Sequence, residues 1–544
     1  MKESDGQTGE VLDLENLKDL LIAPESGTLE KFLIPFLPSQ RWFGSKTRPI
    51  RSIKVLDYAQ LAGLETAILF LEVAFDDEGK ENYQLALSIS RAEKAEQIRS
   101  ERPGSMIAEV KVAGGQAVLH DAVVDEEFRQ VLLRTIQING ELRTQAGALQ
   151  GRNSSAFVKM GEGNARPSRV GSAEQSNTSI IYGGSLILKL FRRLQTGENP
   201  DTEIGRFLTD VAHFPRIAPF LGDITLSSED GEATTIAMLQ GLVANEGDGW
   251  QWTMQELARF YETVAKLSEA PQAASGSSFL NDEAPSASIR EHAGNYLRAS
   301  ELLGTRTAEM HLALATPTDD PAFAKEPFSA SELSSDARRI ESQLSTALDA
   351  LQQSRPKLTE INSRSAEFLL SQRVELLSRA TAIGRASAAD FGQRIRIHGD
   401  YHLGQILRTQ EDFVVLDFEG EPARSLAERR AKQSPLKDVA GMLRSFGYAA
   451  YGALFAFSQH EPDARKNLEP WAIAWQNAVS AAFLRAYRRS VEEARGDILP
   501  RAAEAQLLLN AYLIEKALYE LQYELNNRPT WVGIPLAGIV AILE

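Results

Sequence analysis

The chain has 544 residues, 43% apolar and 24% charged, a profile of an ordinary globular protein long enough for three or four domain-sized units or one large bilobed enzyme. Its net charge of −16 argues against a general nucleic-acid binder, which needs clustered Lys and Arg to neutralise phosphates. It has no cysteine, which excludes disulfides, thiolate catalysis and zinc–thiolate sites; no leader-like segment or run of about 18 apolar residues marks a membrane partner, so the expected location is the cytoplasm.

In chain order, residues 50 to 120 alternate β-rich runs such as "TAILFLEVAF" and "YQLALSIS" with polar turns, which predicts a small, largely antiparallel sheet. "DEEFRQVLLRTIQ" has helical spacing. "SIIYGGSLILKLF" predicts two strands joined at "YGG", and "NPDTEIGRFLTDV" opens a helix with Asn-Pro-Asp. "ATTIAMLQGLV" is a further strand ending at "NEGDGW". Beyond Trp250 long amphipathic stretches predict helices, separated by a Ser/Ala/Pro-rich loop at 270–288 and interrupted by "RIRIHGDYHLGQILR…FVVLDFEGE". The expected organisation is α+β. A β-rich N-terminal cap covers 1–110, an intermediate unit with the phosphate-binding strands 111–245, and a helical lobe 246–544.

Phosphoryl transfer asks for a phosphate cradle, a cation on the phosphates, oxygen ligands for a metal and a base facing the acceptor. Asp400 and Gln405 in "HGDYHLGQ" stand five apart, the catalytic-loop spacing H-R-D-x-x-x-x-N, with Gln in place of Asn. Asp417 follows the β run "FVVL". Asp400 is thus the candidate base, and Gln405 and Asp417 the candidate Mg²⁺ ligands. Lys189 ends "SLILKLF", and Glu203 lies in the first turn of the next helix, the pairing that aims an ammonium at the inner phosphates of ATP. Ser176, Asn177 and Thr178 occupy the cradle position, though the segment is not glycine-rich and matches no Walker pattern. Asp438 opens an apolar helix and is assigned to holding the catalytic-loop backbone.

In "AYLIEKALYELQYELNNRPTWVGIPL", Ile514, Leu518, Leu521 and Leu525 form an apolar face, and Tyr512, Lys516, Tyr519 and Tyr523 repeat on the other side. Tyrosines beside Glu520, Glu524, Arg528 and Trp531 suit a sugar, which needs flat apolar surface and hydrogen-bonding edges. His398 heads the loop of Asp400 and is placed at the substrate. "QRWFGSK" suggests Arg41 and Trp42 as a cation–π pair or core anchor fixing the cap.

With these segments and "LPSQRWFGSK", "EQSNTSIIYGGSLILKLFRRLQTGENPDTEI", "LGTRTAEMHLALA", "DFEGEPARSLAERRAKQSPLKDVAGMLRSFGYAA" and "EKALYELQYELNNRPTWVGIPL", the chain resembles the maltokinase family, relatives of aminoglycoside phosphotransferases. The resemblance implies a bilobed protein-kinase-like fold with a cap. It also implies ATP-dependent phosphorylation of maltose at its anomeric hydroxyl, feeding α-glucan synthesis. It puts the base on Asp400, the metal on Gln405 and Asp417, and the sugar at Lys516, Tyr519 and Glu520. Family members also occur fused to trehalose synthase, and this chain corresponds to the kinase part. The rival readings are a kinase of another sugar, such as glucosamine, and a non-catalytic nucleotide-binding scaffold. An amino sugar would call for an unpaired carboxylate near its nitrogen, for which Glu520 or Glu524 would be the source.

Overall fold

The computed structural model describes residues 12–543 except 14–16, 23–26, 113–114, 161–165, 172–175, 229–232, 268–270, 272–283 and 460–461. The loop expected at 270–288 and the start of the phosphate-cradle segment thus lie largely outside the described residues. The chain divides into two compact units, Met1–Asp210 with Ala218–Val243, and Val211–Ile217 with Ala244–Glu544.

The first unit holds two sheets. One is built from β1 (Leu12–Asp13), β2 (Ile50–Gln60), β3 (Thr66–Phe75), β4 (Lys80–Arg91), β5 (Met106–Val112) and β6 (Gly115–Asp121) in the order β1-β5-β6-β4-β3-β2, antiparallel apart from the β1–β5 pair. Because β6 pairs with both β4 and β5, the cap sheet runs to Asp121; the boundary expected at residue 110 cuts through it and is corrected by that pairing. The sheet is covered on both faces, which explains the near-continuous apolar run of β3. Alternate side chains point to opposite faces. Leu69, Leu71 and Val73 meet Leu33, Leu37 and Trp42, whereas Ile68 and Phe70 join Leu132, Ile136, Ile180 and Leu188. Each such side chain contributes about 1.5–3 kcal/mol on burial.

The second sheet comprises β7 (Glu141–Arg143), β8 (Gly147–Asn153), β9 (Ser168–Val170), β10 (Thr178–Tyr182), β11 (Leu186–Leu190), β13 (Phe220–Ser228) and β14 (Thr234–Gly241), ordered β7-β8-β13-β14-β11-β10-β9; the short β12 (Arg193–Leu194) instead joins the cap sheet at β4. The β10–β11 hairpin turns on Gly183 and Gly184, at φ 55° and 70°, a left-handed region that glycine adopts without a Cβ penalty. The helices of this unit are α1 (Leu17–Ile22), α2 (Thr28–Ser39), α3 (Ala92–Glu101), α4 (Glu126–Gln137), α5 (Ser155–Met160) and α6 (Pro200–Arg206). At α6 the predicted start is found: Asn199 caps the helix, accepting the Asp201 N–H at 2.8 Å, and Pro200 occupies the first turn, where its missing N–H costs nothing.

Trp42 is a core anchor, as "QRWFGSK" suggested, and Arg192 is a cationic neighbour of its ring. The Arg192 guanidinium carbon lies 4.8 Å from the Trp42 ring centroid. Buried almost completely, Arg192 also donates to Asp121 Oδ2 at 2.7 Å and to Thr178 Oγ1 at 2.8 Å. Gln84 of β4 adds bonds of 2.6 Å to the carbonyls of Phe191 and Ile236. The cap sheet is therefore fastened to the strands on either side of Lys189 by a buried charge with three partners.

The second unit is helical: α7 (Gly249–Val264), α8 (Ala287–Leu314), α9 (Ala330–Ser354), α10 (Glu360–Ser371), α11 (Arg373–Thr381), α12 (Leu426–Arg430), α13 (Leu436–Phe457), α14 (Pro462–Glu493), α15 (Ala502–Asn527) and α16 (Gly533–Leu543). Two small hairpins interrupt it, β15 (Glu326–Pro327) with β16 (Gln393–Arg394) and β17 (Ile406–Thr409) with β18 (Asp412–Val415). α13 is the central helix, buried along nearly its whole length and packed against α7, α14 and α15. α8 runs along α14, where a Cβ on Gly304 would sit 2.3 Å from the Phe483 carbonyl oxygen, so only glycine allows that approach. On α15, Ile514, Leu518 and Leu521 are buried as their spacing predicts, with Leu525 half-buried. The other face divides. Tyr512 is core, whereas Tyr519 and Tyr523 are 37% and 46% exposed. Among the described residues no helix is long and apolar enough to cross a membrane.

Candidate active site

In the second unit, the loop between β16 and β17 carries Asp400, and Asp417 stands two residues past the end of β18. Antiparallel pairing of Ile406 with Val415 brings the two ends of the hairpin side by side. As a result Gln405 and Asp417, twelve positions apart in sequence, touch: Gln405 Nε2 lies 3.3 Å from Asp417 Oδ2. Asp417 has φ +64°, a conformation uncommon for a residue with a Cβ and found where surroundings over-determine the backbone. A carboxylate oxygen of Glu419 comes within 4.8 Å of one of Asp417. Turning the Gln405 amide over presents its oxygen in place of its nitrogen, and the resulting all-oxygen set fits a hard divalent ion such as Mg²⁺. Glu419 was not among the sequence candidates. Its signal was present in "DFEGE", where the carboxylate two residues after Asp417 re-enters the same side of the loop.

Asp438 holds the Asp400 loop. Its carboxylate accepts the N–H groups of His398 (2.7 Å) and Gly399 (2.9 Å) and meets His311 Nε2 at 3.1 Å. Burial by itself would raise this carboxyl; the donors hold it below its ordinary range. His398 is 1% exposed, its Nε2 2.9 Å from the Leu416 carbonyl and its ring beside Phe418 and Tyr401. It is a strut joining the Asp400 loop to the strand before Asp417, a correction to its expected place at the substrate: the bonds on both sides of the ring draw it inward.

Asp400 is ion-paired. Lys516 Nζ of α15 lies 3.2 Å from Asp400 Oδ1 and 3.0 Å from Glu421 Oε1. Burial opposes the lysine's charge, but Asp400 and Glu421 outweigh it and raise Lys516 above its ordinary value. Burial likewise works against Glu421, yet Lys516 and Arg424 bring it down to about 2. Asp400, Lys516, Glu421 and Tyr519 line a small cavity of about 40 Å³, together with Arg424, Lys437 and Glu515. Glu515 is buried and bonded by Arg339 and Arg424. Lys437 is driven down to about 7 by burial and by the neighbouring charges of Arg424 and Arg339.

The remaining sugar candidates sit along α15 and just past it. Arg528 grips Glu524 at 2.6 Å and lies over the rings of Tyr523 (5.3 Å) and Trp531 (4.9 Å). Glu520, expected at the substrate, faces Arg444 instead, which donates to it at 2.9 and 2.6 Å. Helical periodicity placed Glu520 on the polar side; it could not show that α13 supplies a buried arginine there.

In the first unit Lys189 Nζ meets Asp201 Oδ2 at 2.9 Å, a carboxylate the spacing argument did not name, and Glu203, two residues further along α6, is buried as well. Of the cradle candidates, Ser176 is exposed and Asn177 half-buried. Thr178 is buried, its hydroxyl taken by Arg192.

Residues 36–125 match the maltokinase N-terminal cap domain. A glucosamine kinase of Streptacidiphilus jiangxiensis is 24% identical over 373 residues, 68% of this chain and 72% of the relative. One from Mycolicibacterium smegmatis is 26% identical over 381 residues, 70% of this chain and 80% of the relative. A solved glucosamine kinase in complex with glucosamine, ADP and inorganic phosphate superposes with a TM-score of 0.61 at 19% identity, covering 90% of this chain and 94% of that one. The β-rich N-terminal unit, the helical C-terminal unit and this likeness define a protein with the kinase-like fold. Within that fold, residues 36–125 of the chain match a maltokinase-type cap.

Proposed function

We propose that this chain is a Mg²⁺-dependent sugar kinase that transfers the γ-phosphate of ATP to the anomeric hydroxyl of maltose. Gln405, Asp417 and Glu419 would hold the metal, which supplies charge neutralisation on the phosphates. Lys189, fixed by Asp201, offers its ammonium to the inner phosphates. Asp400 takes the proton of the attacking hydroxyl through Oδ2, while Lys516 holds Oδ1 and orients the carboxylate.

The choice of a neutral acceptor is carried by one observation: Glu421 and Glu515 at the Asp400 cavity, and Glu520 and Glu524 further along α15, are already matched with cations. Glu421 is paired with Lys516 and Arg424, Glu515 with Arg339 and Arg424, Glu520 with Arg444, and Glu524 with Arg528. A protonated amino sugar would enter beside Lys516 and Arg424 and meet like charge. A disaccharide suits the site better, its reducing end at the cavity and its second ring outward along Tyr519 and Tyr523. Glucosamine is the competing acceptor, because the relatives bear that name. Turnover with ATP and Mg²⁺ on maltose, glucose and glucosamine, with the product identified by mass, separates them. Phosphorylation of glucosamine with maltose left unchanged would overturn the proposal.

A further inference from the structure

Hairpin β17–β18 has four-residue strands, too short to be stable alone. Both its edges are completed by the segments at which the chain enters and leaves the second unit. On the β17 edge, the "NEGDGW" segment binds: Glu246 N–H donates to Arg408 O at 2.8 Å, Arg408 N–H donates to Gly247 O at 3.0 Å, and Asp248 bridges to Leu407. On the β18 edge, Val415 N–H donates to Arg216 O at 2.8 Å and Ile217 forms a parallel bridge with Val415.

One carboxylate locks this arrangement. Asp412, at the start of β18, receives Arg306 of α8 through two parallel bonds, Nε to Oδ1 at 2.8 Å and Nη2 to Oδ2 at 3.0 Å. Arg216 Nη2 reaches the same Oδ2 at 3.0 Å. A fork of this kind fixes orientation as well as charge. The register then carries the constraint from Asp412–Thr409 at the tip to Ile406–Val415 at the base, immediately before which stands Gln405 and just after which stands Asp417. There Leu416 N–H donates to Gln405 O at 2.9 Å, so the two side chains share one backbone seat.

We infer that Asp412, gripped by Arg216 and Arg306, is a positioning residue that sets the geometry of the Gln405–Asp417 ligand pair from the far end of the hairpin. This rests on the assignment of those two residues to a metal. Its physical basis is that Asp417 sits in a left-handed conformation its neighbours must enforce, and the hairpin is what they act through.

The test uses the full chain with Asp412→Asn and, as a milder change that keeps the charge but loses the fork, Arg306→Lys. Two readouts are taken: amide hydrogen exchange at Val415 and Leu416 without nucleotide, and binding of Mn²⁺ with ADP followed by electron paramagnetic resonance. Both should shift in both variants, more in Asp412→Asn, with Mn²⁺ affinity falling by about 10- to 100-fold, the range for outer partners of metal ligands. The KM for the sugar should stay unchanged. Exchange and Mn²⁺ affinity indistinguishable from the unaltered chain would overturn the inference, as would faster exchange with unchanged Mn²⁺ affinity. Should Asp412→Asn fail to fold, Arg306→Lys decides by the same two readouts. Absence of Mn²⁺–ADP binding in the unaltered chain would sink the kinase reading, and exchange alone would then decide whether Asp412 holds the hairpin.

Discussion

Replacing Lys516 with Met removes a cation shared by Asp400 and Glu421, and the cost follows from Glu421. Its carboxyl stands at about 2 in the folded protein against an ordinary 4.5. That lowering corresponds to about 3 kcal/mol of folding free energy. A depressed carboxylate stabilises the fold fully above its unfolded value and loses that contribution as pH falls toward its folded value. The unaltered chain therefore keeps this contribution above pH ~4.5, retains about 2 kcal/mol of it at pH ~3.5, and has lost it near pH ~2. Arg424 remains beside Glu421 in the variant, so about 3 kcal/mol is the ceiling for the loss near neutrality, within the range for breaking a buried ion pair. Urea unfolding of both chains, followed by tryptophan fluorescence across pH 7 to 3.5, measures it. The gap should be widest at neutral pH and narrow on acidification. A gap that stayed constant with pH, or none at pH 7, would show that Lys516 is not what holds Glu421 ionised.

Asp400→Asn should lower turnover by about 10²- to 10⁴-fold, the span for a general base, with ADP affinity in calorimetry unaltered. Asp438→Asn puts an amide where three donors converge, so the midpoint of thermal unfolding should drop by the equivalent of about 1–3 kcal/mol for each donor left unmatched, accompanied by lost turnover. Arg192→Met strands Asp121 in the core and should cost about 3–5 kcal/mol in urea unfolding, with Arg192→Lys milder. Glu520→Gln should destabilise by leaving buried Arg444 short of its partner, yet leave the ratio of maltose to glucosamine turnover unchanged; a swing toward one sugar would restore Glu520 to the acceptor site.

Local chemistry was legible in the sequence. The strand before Asp417, the glycine turn of β10–β11 and the Asn-Pro-Asp start of α6 each depend on residues within a few positions of one another, and each lies where the pattern put it. Periodicity likewise found the buried stripe of α15. Partners distant in the chain were not legible. Lys516 lies 116 positions from Asp400, Arg444 lies 76 from Glu520, and Arg192 lies 71 from Asp121. A helix pattern names the face that turns away from its own core but not what covers it, so Glu520 read as sugar-facing until α13 brought an arginine to it. In the sequence, its position beside Asp400 places His398 at the substrate; only the fold brings the Leu416 carbonyl and the Asp438 carboxylate around it. What the sequence decides is the set of groups and their local spacing, because φ/ψ preferences, caps and alternation act over a few residues. Which charges neutralise one another, and hence which side chains stay open to a substrate, is decided by packing between segments that no local preference encodes.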